Sequence, residues 1–115
     1  MPAVVLNLRM ARSRLGGDDG LLREVLQMFL EDSPQLVAAV EASVALSEIT
    51  SLRVAAHTLK GSVGMAGGQR AYDVIYAVEQ HCKAGDLEAA LTLWPTYVSE
   101  HAQLIAAIED YLRAA

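Results

Sequence analysis

Four stretches of this chain of 115 residues carry apolar residues three and four positions apart, and this spacing constrains the fold more than any other feature. An α-helix has about 3.6 residues per turn, so such a spacing places the apolar side chains on one helical face. The pattern predicts amphipathic helices that bury these faces against one another. The expected inward positions are Leu22, Leu26, Phe29, Leu36, Val40 and Val44; then Leu52, Ala56, Leu59, Val63 and Ala66; then Ala71, Val74, Ile75, Val78 and Cys82; and finally Leu87, Leu91, Trp94, Val98, Ile105, Ile108 and Leu112.

Glycine and aspartate residues mark the ends of these helices. Gly67-Gly68 and Gly85 are typical of helix C-termini, and Asp86 suits the N-cap of the last helix. Helices are therefore expected over about residues 7–14, 20–46, 51–66, 69–84 and from 86 to about 112.

Pro34 leaves two interpretations of the second predicted helix. Ser33-Pro34 suits the N-cap and first position of a new helix, which would divide the segment in two. The apolar stripe keeps one phase across Pro34, however, and this favours a single helix with a kink.

The expected fold class is all-α: an antiparallel up-down-up-down four-helix bundle, preceded by a short N-terminal helix. The content of apolar residues, 53%, favours a folded chain over a disordered one. We expect a single domain over residues 1–115, with the bundle core over about 20–112.

Charge and composition argue against several functional classes. The formal net charge of −5 disfavours nucleic-acid binding, which needs a basic face. No apolar run approaches the ~20 residues that span a bilayer, so no membrane insertion is expected. The start of the chain lacks the charged leader of a signal peptide, and the one cysteine, Cys82, cannot form an internal disulfide, so a cytoplasmic location is expected. No two histidines are spaced i, i+4, and a metal site is not expected.

The segment from Ala56 to Ser62 (Ala-His-Thr-Leu-Lys-Gly-Ser) places unusual residues on one helical face. With Leu52 at zero, His57 lies at about 140°, Lys60 at about 80°, Gly61 at about 180° and Gly64 at about 120°. His57 is therefore expected to face solvent beside Lys60, on a surface that the two glycines leave bare. A glycine inside a helix costs about 0.5–1 kcal/mol relative to alanine, and close approach by a partner is the natural reason for two of them.

The motif His-x-Leu-Lys-Gly-Ser at His57 resembles the signature of histidine-containing phosphotransfer (HPt) domains of two-component phosphorelays. The resemblance covers roughly residues 8–112 and departs from the usual pattern at Ala66 and Gly68, where leucine and alanine are common. Further matches are Leu15-Gly16-Gly17-Asp18, Phe29, Ala66-Gly67-Gly68, the apolar series from Ala71 to Val78 with Glu79, and Gly85-Asp86.

The resemblance implies a phosphorelay intermediate that is not itself an enzyme. His57 would accept a phosphoryl group from the aspartyl-phosphate of one receiver domain and pass it to the aspartate of another. The partner would supply Mg²⁺, and the chain would need no cofactor of its own. Lys60 would stabilise the phosphoryl charge, and a monomer is expected, either free or within a hybrid sensor kinase. The expected docking surface consists of Gly61, Gly64, Val54 and Met65.

Other interpretations remain open from the sequence. The same face would also suit a docking module that regulates a receiver or an enzyme by occupancy, without relaying phosphate. An autonomous hydrolase or kinase is disfavoured, because the chain has no Gly-rich nucleotide loop and no triad partners. Glu79 is explained as well by a structural ion pair as by function, and Lys60 as well by a solvated lysine as by a phosphate contact. His101 is expected to be partly buried and hydrogen-bonded, and His81 to lie on a helix flank.

Overall fold

The computed structural model describes residues 3–114, and over that range it contains five α-helices and no strand. The short helix expected near residues 7–14 is present and begins after Asn7, whose side chain accepts a hydrogen bond from the Met10 amide. The helices are α1 (Leu8–Arg14), α2 (Asp19–Ala45), α3 (Ile49–Ala66), α4 (Gln69–Lys83) and α5 (Leu87–Arg113).

Helices α2 to α5 form the bundle that the apolar periodicity predicts. Connections of two or three residues make consecutive helices antiparallel neighbours, and α3 lies between α2 and α4. Helix α5 packs mainly against α4 and closes the bundle with a smaller contact to α2. The predicted fold class is thus confirmed. No helix of residues 3–114 has the length and apolarity needed to cross a membrane.

Helix α2 is continuous through Pro34, so the interpretation with two separate helices is wrong. Leu22, Leu26 and Phe29 before the proline share one buried face with Val40 after it. The Asp18 side chain caps the helix by accepting a hydrogen bond from the Leu21 amide. Burying each large side chain contributes about 1.5–3 kcal/mol, which is comparable to the cost of an interior proline.

The turn between α3 and α4 explains why both of its residues are glycine. Gly67 adopts a φ of +82°, the left-handed conformation of a helix C-cap, and its carbonyl accepts a hydrogen bond of 2.7 Å from the Asn7 amide. A Cβ atom on Gly68 would lie 2.6 Å from a methyl carbon of Leu104. Close packing of Leu104 on α5 therefore accounts for Gly68.

The inward face of α5 differs from the prediction. Val98, expected inside, is 44% exposed, whereas Tyr97 and Leu104 are fully buried. Trp94 and Ile108 are buried as expected, and Leu87, Leu91, Ile105 and Leu112 are partly buried. The buried residues of α5 are Ala90, Trp94, Tyr97, Leu104 and Ile108, so the buried face is rotated away from Val98 and toward Ala90 and Tyr97.

Alanine substitutions at Gly61 in α3 and at Gly67, the C-cap of α3, should change the free energy of unfolding in opposite directions. Nothing lies within 4 Å of a Cβ atom on Gly61, so Gly61→Ala should stabilise the protein by about 0.5–1 kcal/mol. Gly67→Ala should destabilise it by about 1–2 kcal/mol, since a Cβ there is strained and would lie 2.7 Å from the Asn7 carbonyl oxygen. Urea unfolding of both variants checks the two signs. Equal stabilities would contradict the prediction.

Candidate functional site

His57 lies on the exposed face of α3, as predicted, and its side chain is 66% exposed. The opposite face of the helix is buried through Leu52, Ala56 and Leu59, which leaves His57 no place in the core. The imidazole is nevertheless held in place, because its Nδ1 atom lies 2.6 Å from the Oε2 atom of Glu79 on α4. The accessible imidazole thus has a fixed orientation.

Glu79 is the buried centre of this site. Its side chain is 1% exposed, and the other carboxylate oxygen, Oε1, lies 2.6 Å from the Lys60 Nζ atom. Lys83 Nζ lies 3.7 Å from Oε2. Burial by itself would raise the pKa of Glu79, but the Lys60 ammonium and the hydrogen bond with His57 outweigh this and hold the pKa below its ordinary value of 4.5. The carboxylate is therefore ionised at neutral pH.

The ionised carboxylate determines which imidazole nitrogen is nucleophilic. Because a carboxylate only accepts hydrogen bonds, the Nδ1 atom of His57 must donate, and it carries the proton of the neutral ring. The Nε2 atom, on the other side of the ring from Glu79, keeps its lone pair. The arrangement leaves a nucleophilic nitrogen on the exposed part of the imidazole.

Lys60 lies between the core and solvent, as its position on the helical wheel predicts. Its side chain is 15% exposed, and its ion pair with Glu79 raises the pKa of the ammonium group. The Nζ atom also lies 5.3 Å from the ring centre of Tyr76. Lys60 and His57 are thus connected through the same carboxylate, and the role of Lys60 toward a phosphoryl group stays a prediction.

The two glycines beside His57 differ in their surroundings. Gly61 is bare, as expected, with nothing within 4 Å of the position of a Cβ atom. The expectation that Gly64 is bare is wrong. A Cβ atom on Gly64 would lie 3.3 Å from the Tyr72 ring. The carbonyl oxygen of Gly64 accepts a hydrogen bond of 2.7 Å from Arg14. The wheel places Gly64 opposite the core, but α4 and α1 reach around that side of α3.

Val54 and Met65 are exposed, as expected of docking residues, and they border two different grooves along α3. Val54 lines a groove of about 520 Å³ between α2 and α3. Met65 lines a groove of about 780 Å³ between the N-terminal segment, α3 and α4, together with Lys60 and Gly61. The exposed side of α3 is therefore a ridge with a groove on either side.

The other two histidines occupy less accessible places. His101 is half-buried, its Nδ1 atom lies 2.8 Å from the Tyr97 hydroxyl, and its ring packs against Phe29. Burial lowers the pKa of His101, because the charged form of the ring loses hydration there. This environment agrees with the expectation for His101. His81 is half-buried on α4.

Cys82 is buried, and burial raises the pKa of its thiol, which disfavours the reactive thiolate. Within residues 3–114 no group of three or more His, Cys, Asp or Glu side chains could hold a metal ion. The side chains in contact at the site are therefore His57, Lys60, Glu79 and Lys83.

Sequence reasoning left Glu79 undecided and did not single out Tyr76 or Lys83. One signal for Glu79 was present, since a glutamate on the apolar stripe of α4 requires a buried partner. Lys83 follows Glu79 by four residues on the same helix, and this spacing already brings the two side chains together. Tyr76 gave no such signal, because its closeness to Lys60 depends on how α4 is rotated against α3.

Comparison with known proteins identifies the family of this chain and two proteins with a similar fold. The sequence model of the Hpt domain family matches residues 24–115. The crystal structure of histidine-containing phosphotransfer protein B (HptB) from Pseudomonas aeruginosa PAO1 is similar, with a TM-score of 0.87 and 20% identity over 99% of each chain. That of the histidine-containing phosphotransfer protein ZmHP2 from maize has a TM-score of 0.70 and 16% identity, over 95% of this chain and 88% of ZmHP2. Curated protein sequences gave no significant match.

The lowered pKa of Glu79 should make stability depend on pH. A depressed carboxylate pKa stabilises the folded state above the unfolded value of 4.5, and this contribution is lost as pH falls through the folded pKa. Glu79→Gln should therefore cost about 1–3 kcal/mol at neutral pH and lose less stability than the wild type on acidification. Urea unfolding from pH 7 to pH 3 measures both slopes.

Other carboxylates titrate in both proteins, so the difference between the two slopes isolates Glu79. The exposed Glu24 on α2 provides the matched control, since it forms no ion pair within the described residues. Glu24→Gln should follow the wild type across the whole pH range. If the free energy of unfolding falls in parallel for Glu79→Gln and the wild type as the pH is lowered, Glu79 is not the source of the acid-sensitive stability.

Proposed function

Because the chain belongs to the Hpt domain family, we propose that His57 is the residue that carries the phosphoryl group. Family membership gives the protein a histidine phosphotransfer role in a phosphorelay, as a phosphocarrier rather than an enzyme in itself. It also implies partners from two-component systems, such as receiver domains. The observation that carries the assignment to His57 is its exposed imidazole, oriented through Nδ1 by the buried Glu79.

The transfer step requires only a nucleophile from this chain. The Nε2 lone pair of His57 attacks the phosphorus of an aspartyl-phosphate, the N–P bond forms, and the bond from phosphorus to the carboxylate oxygen breaks. The aspartate leaves as a carboxylate, and no proton has to move, because Nδ1 already carries it. The reverse of this step passes the group to the aspartate of a second receiver domain.

Glu79 and Lys60 act on the charges that this step produces. The phosphorylated ring retains the Nδ1 proton and gains positive charge, which the Glu79 carboxylate at 2.6 Å stabilises. To Lys60, one turn from His57, we assign the task of offsetting the negative charge of the phosphoryl oxygens. Its ion pair with Glu79 limits its motion, so we assign to Lys60 the second task of orienting that carboxylate.

The partner brings the remaining parts of the reaction. We propose that a receiver domain supplies its phosphorylatable aspartate and a bound Mg²⁺ and docks along the ridge of α3. Gly61 gives its loops room beside His57, and Val54 and Met65 offer apolar contacts on the two sides of the ridge. Gly64 packs on Tyr72 and is not bare surface. Its contribution to the docking surface is its carbonyl oxygen, which accepts a hydrogen bond from Arg14 and holds that side chain in place.

The wider setting that we propose is a monomeric, cytoplasmic phosphoprotein in signal transduction, either free or within a hybrid sensor kinase. The charge of −5 and the scarcity of basic side chains support protein partners rather than nucleic acid. The single cysteine supports a reducing compartment.

Phosphate transfer to His57 is the first test of this function. The purified protein, mixed with phosphorylated receiver domains and Mg²⁺, should acquire a label that is stable in base and lost in acid. His57→Gln should acquire none, because the amide cannot replace the imidazole as nucleophile. His101→Gln is the matched control and should be labelled like the wild type.

Transfer that survives in His57→Gln would contradict the assignment. Receiver binding without labelling of the wild type by any receiver would favour the alternative function, a docking module that regulates its partner by occupancy.

Gly61 offers a separate test of close approach by the partner. Gly61→Gln should leave the fold intact, since the side chain projects into open space, and should slow transfer about tenfold or more by standing in the docking path. Gly61→Ala adds one small group and should retain most of the rate. Stopped-flow transfer kinetics compare the two variants. A folded Gly61→Gln variant with the wild-type rate would exclude a close contact at this position.

A further inference from the structure

We propose that the groove between the N-terminal segment, α3 and α4 receives an amphipathic segment of the receiver domain, and that Arg14 binds a carboxylate on it. This inference rests on the proposed phosphotransfer function and adds a specificity-determining contact to it. The groove has a volume of about 780 Å³, and its lining includes Val4, Arg14, Lys60, Met65 and Asp73.

The groove is continuous with the phosphotransfer site. Lys60 and Gly61 line its edge, and both lie within about one turn of His57 on α3. The contact with Glu79 draws the imidazole toward α4, which is the side of the ridge on which this groove opens. A receiver domain that reaches His57 from above the ridge would therefore extend into the groove.

Arg14 is a positioned cation without a carboxylate. Its Nη1 atom donates a hydrogen bond of 2.7 Å to the Gly64 carbonyl, and Nη2 lies 3.6 Å from the Met10 sulfur. No carboxylate of residues 3–114 forms an ion pair with this exposed guanidinium, whereas Arg12 and Arg70 each have one. The hydrogen bond to Gly64 orients the planar group and leaves other N–H donors for a ligand, and a carboxylate fits their geometry.

The other walls indicate what else the ligand must present. Val4 and Met65 are 46% and 49% exposed, so the groove offers apolar contact beside the cation. Asp73, on the α4 wall, would repel a second carboxylate there and directs the acidic group toward Arg14. An amphipathic segment with apolar side chains and one acidic residue satisfies both conditions.

The groove on the other side of the ridge is less suited to an acidic partner. Its lining contains Val54 and Glu48 but no lysine or arginine. A carboxylate placed there would meet a like charge and no cation. The charge of the two grooves thus distinguishes the side on which an acidic segment docks.

Charge reversal on α1 tests the proposal. Receiver domains that transfer to the wild type are chosen first, and transfer rates are then measured for Arg14→Glu and for Arg9→Glu, an exposed residue of the same helix that does not line the groove. Arg14→Glu should slow transfer about tenfold near 50 mM salt, and the difference should narrow toward 500 mM as charges are screened. Arg9→Glu should change the rate less than about twofold.

Two additions separate docking from folding and from chemistry. Arg14→Lys retains the charge but loses the planar set of donors, so its transfer rate should lie between those of the wild type and Arg14→Glu. The difference in rate between Arg14→Lys and Arg14→Glu should narrow with salt, which a purely structural role of the Gly64 hydrogen bond would not produce. Labelling with phosphoramidate, a small phosphodonor that needs no docking surface, should be equal in the wild type and Arg14→Glu.

The outcomes are distinct. Equal receiver transfer by Arg14→Glu and Arg9→Glu would overturn the groove proposal and leave His57 transfer intact. Loss of phosphoramidate labelling in Arg14→Glu alone would assign Arg14 to the site's structure and overturn a docking role. Failure of phosphoramidate and all receivers to label the wild type would overturn the proposed function and this inference together. Self-association of the wild type that Arg14→Glu abolishes would assign the groove to a second copy and overturn a receiver occupant.

Discussion

The site depends on one buried carboxylate. One carboxylate oxygen of Glu79 accepts a hydrogen bond from His57, and the other forms an ion pair with Lys60. A single side chain of α4 therefore fixes two side chains of α3. A buried carboxylate is costly unless it is paired, and these contacts offset that cost only when α3 and α4 hold one register and rotation. The contact that orients the His57 imidazole is therefore also a constraint on how the two helices pack.

The residue at position 61 on the accessible face of α3 lowers the stability of the helix. Gly61 lies in a helix interior with open space around it, where alanine would be the better helix former. The exposed side chains Val54 and Met65 flank the same ridge. At Gly61, a residue that would improve the isolated fold is absent from the surface on which we propose that the receiver domain docks, as is common where function opposes stability.

The N-terminal segment is part of this face rather than an appendage to it. Asn7 donates its amide hydrogen to the Gly67 carbonyl, and the Arg70 amide donates to the Val4 carbonyl, so the segment is bonded to the turn between α3 and α4. Arg14 adds a hydrogen bond to Gly64. These contacts bring the cation of α1 to the edge of the larger groove and extend the surface beyond the four bundle helices.

The sequence by itself determined the properties that arise within one helix: the buried stripe from Leu52 to Val63, the exposure of His57, and the C-cap at Gly67. These follow from helical periodicity and local backbone preference, which need no knowledge of neighbours. Tertiary structure alone decided the pairing of Glu79 with His57 and Lys60, the contact of Gly64 with Tyr72, and the burial of Tyr97 in place of Val98. Each depends on the rotation of one helix against another, which the sum of many side-chain contacts fixes and no spacing along the chain encodes.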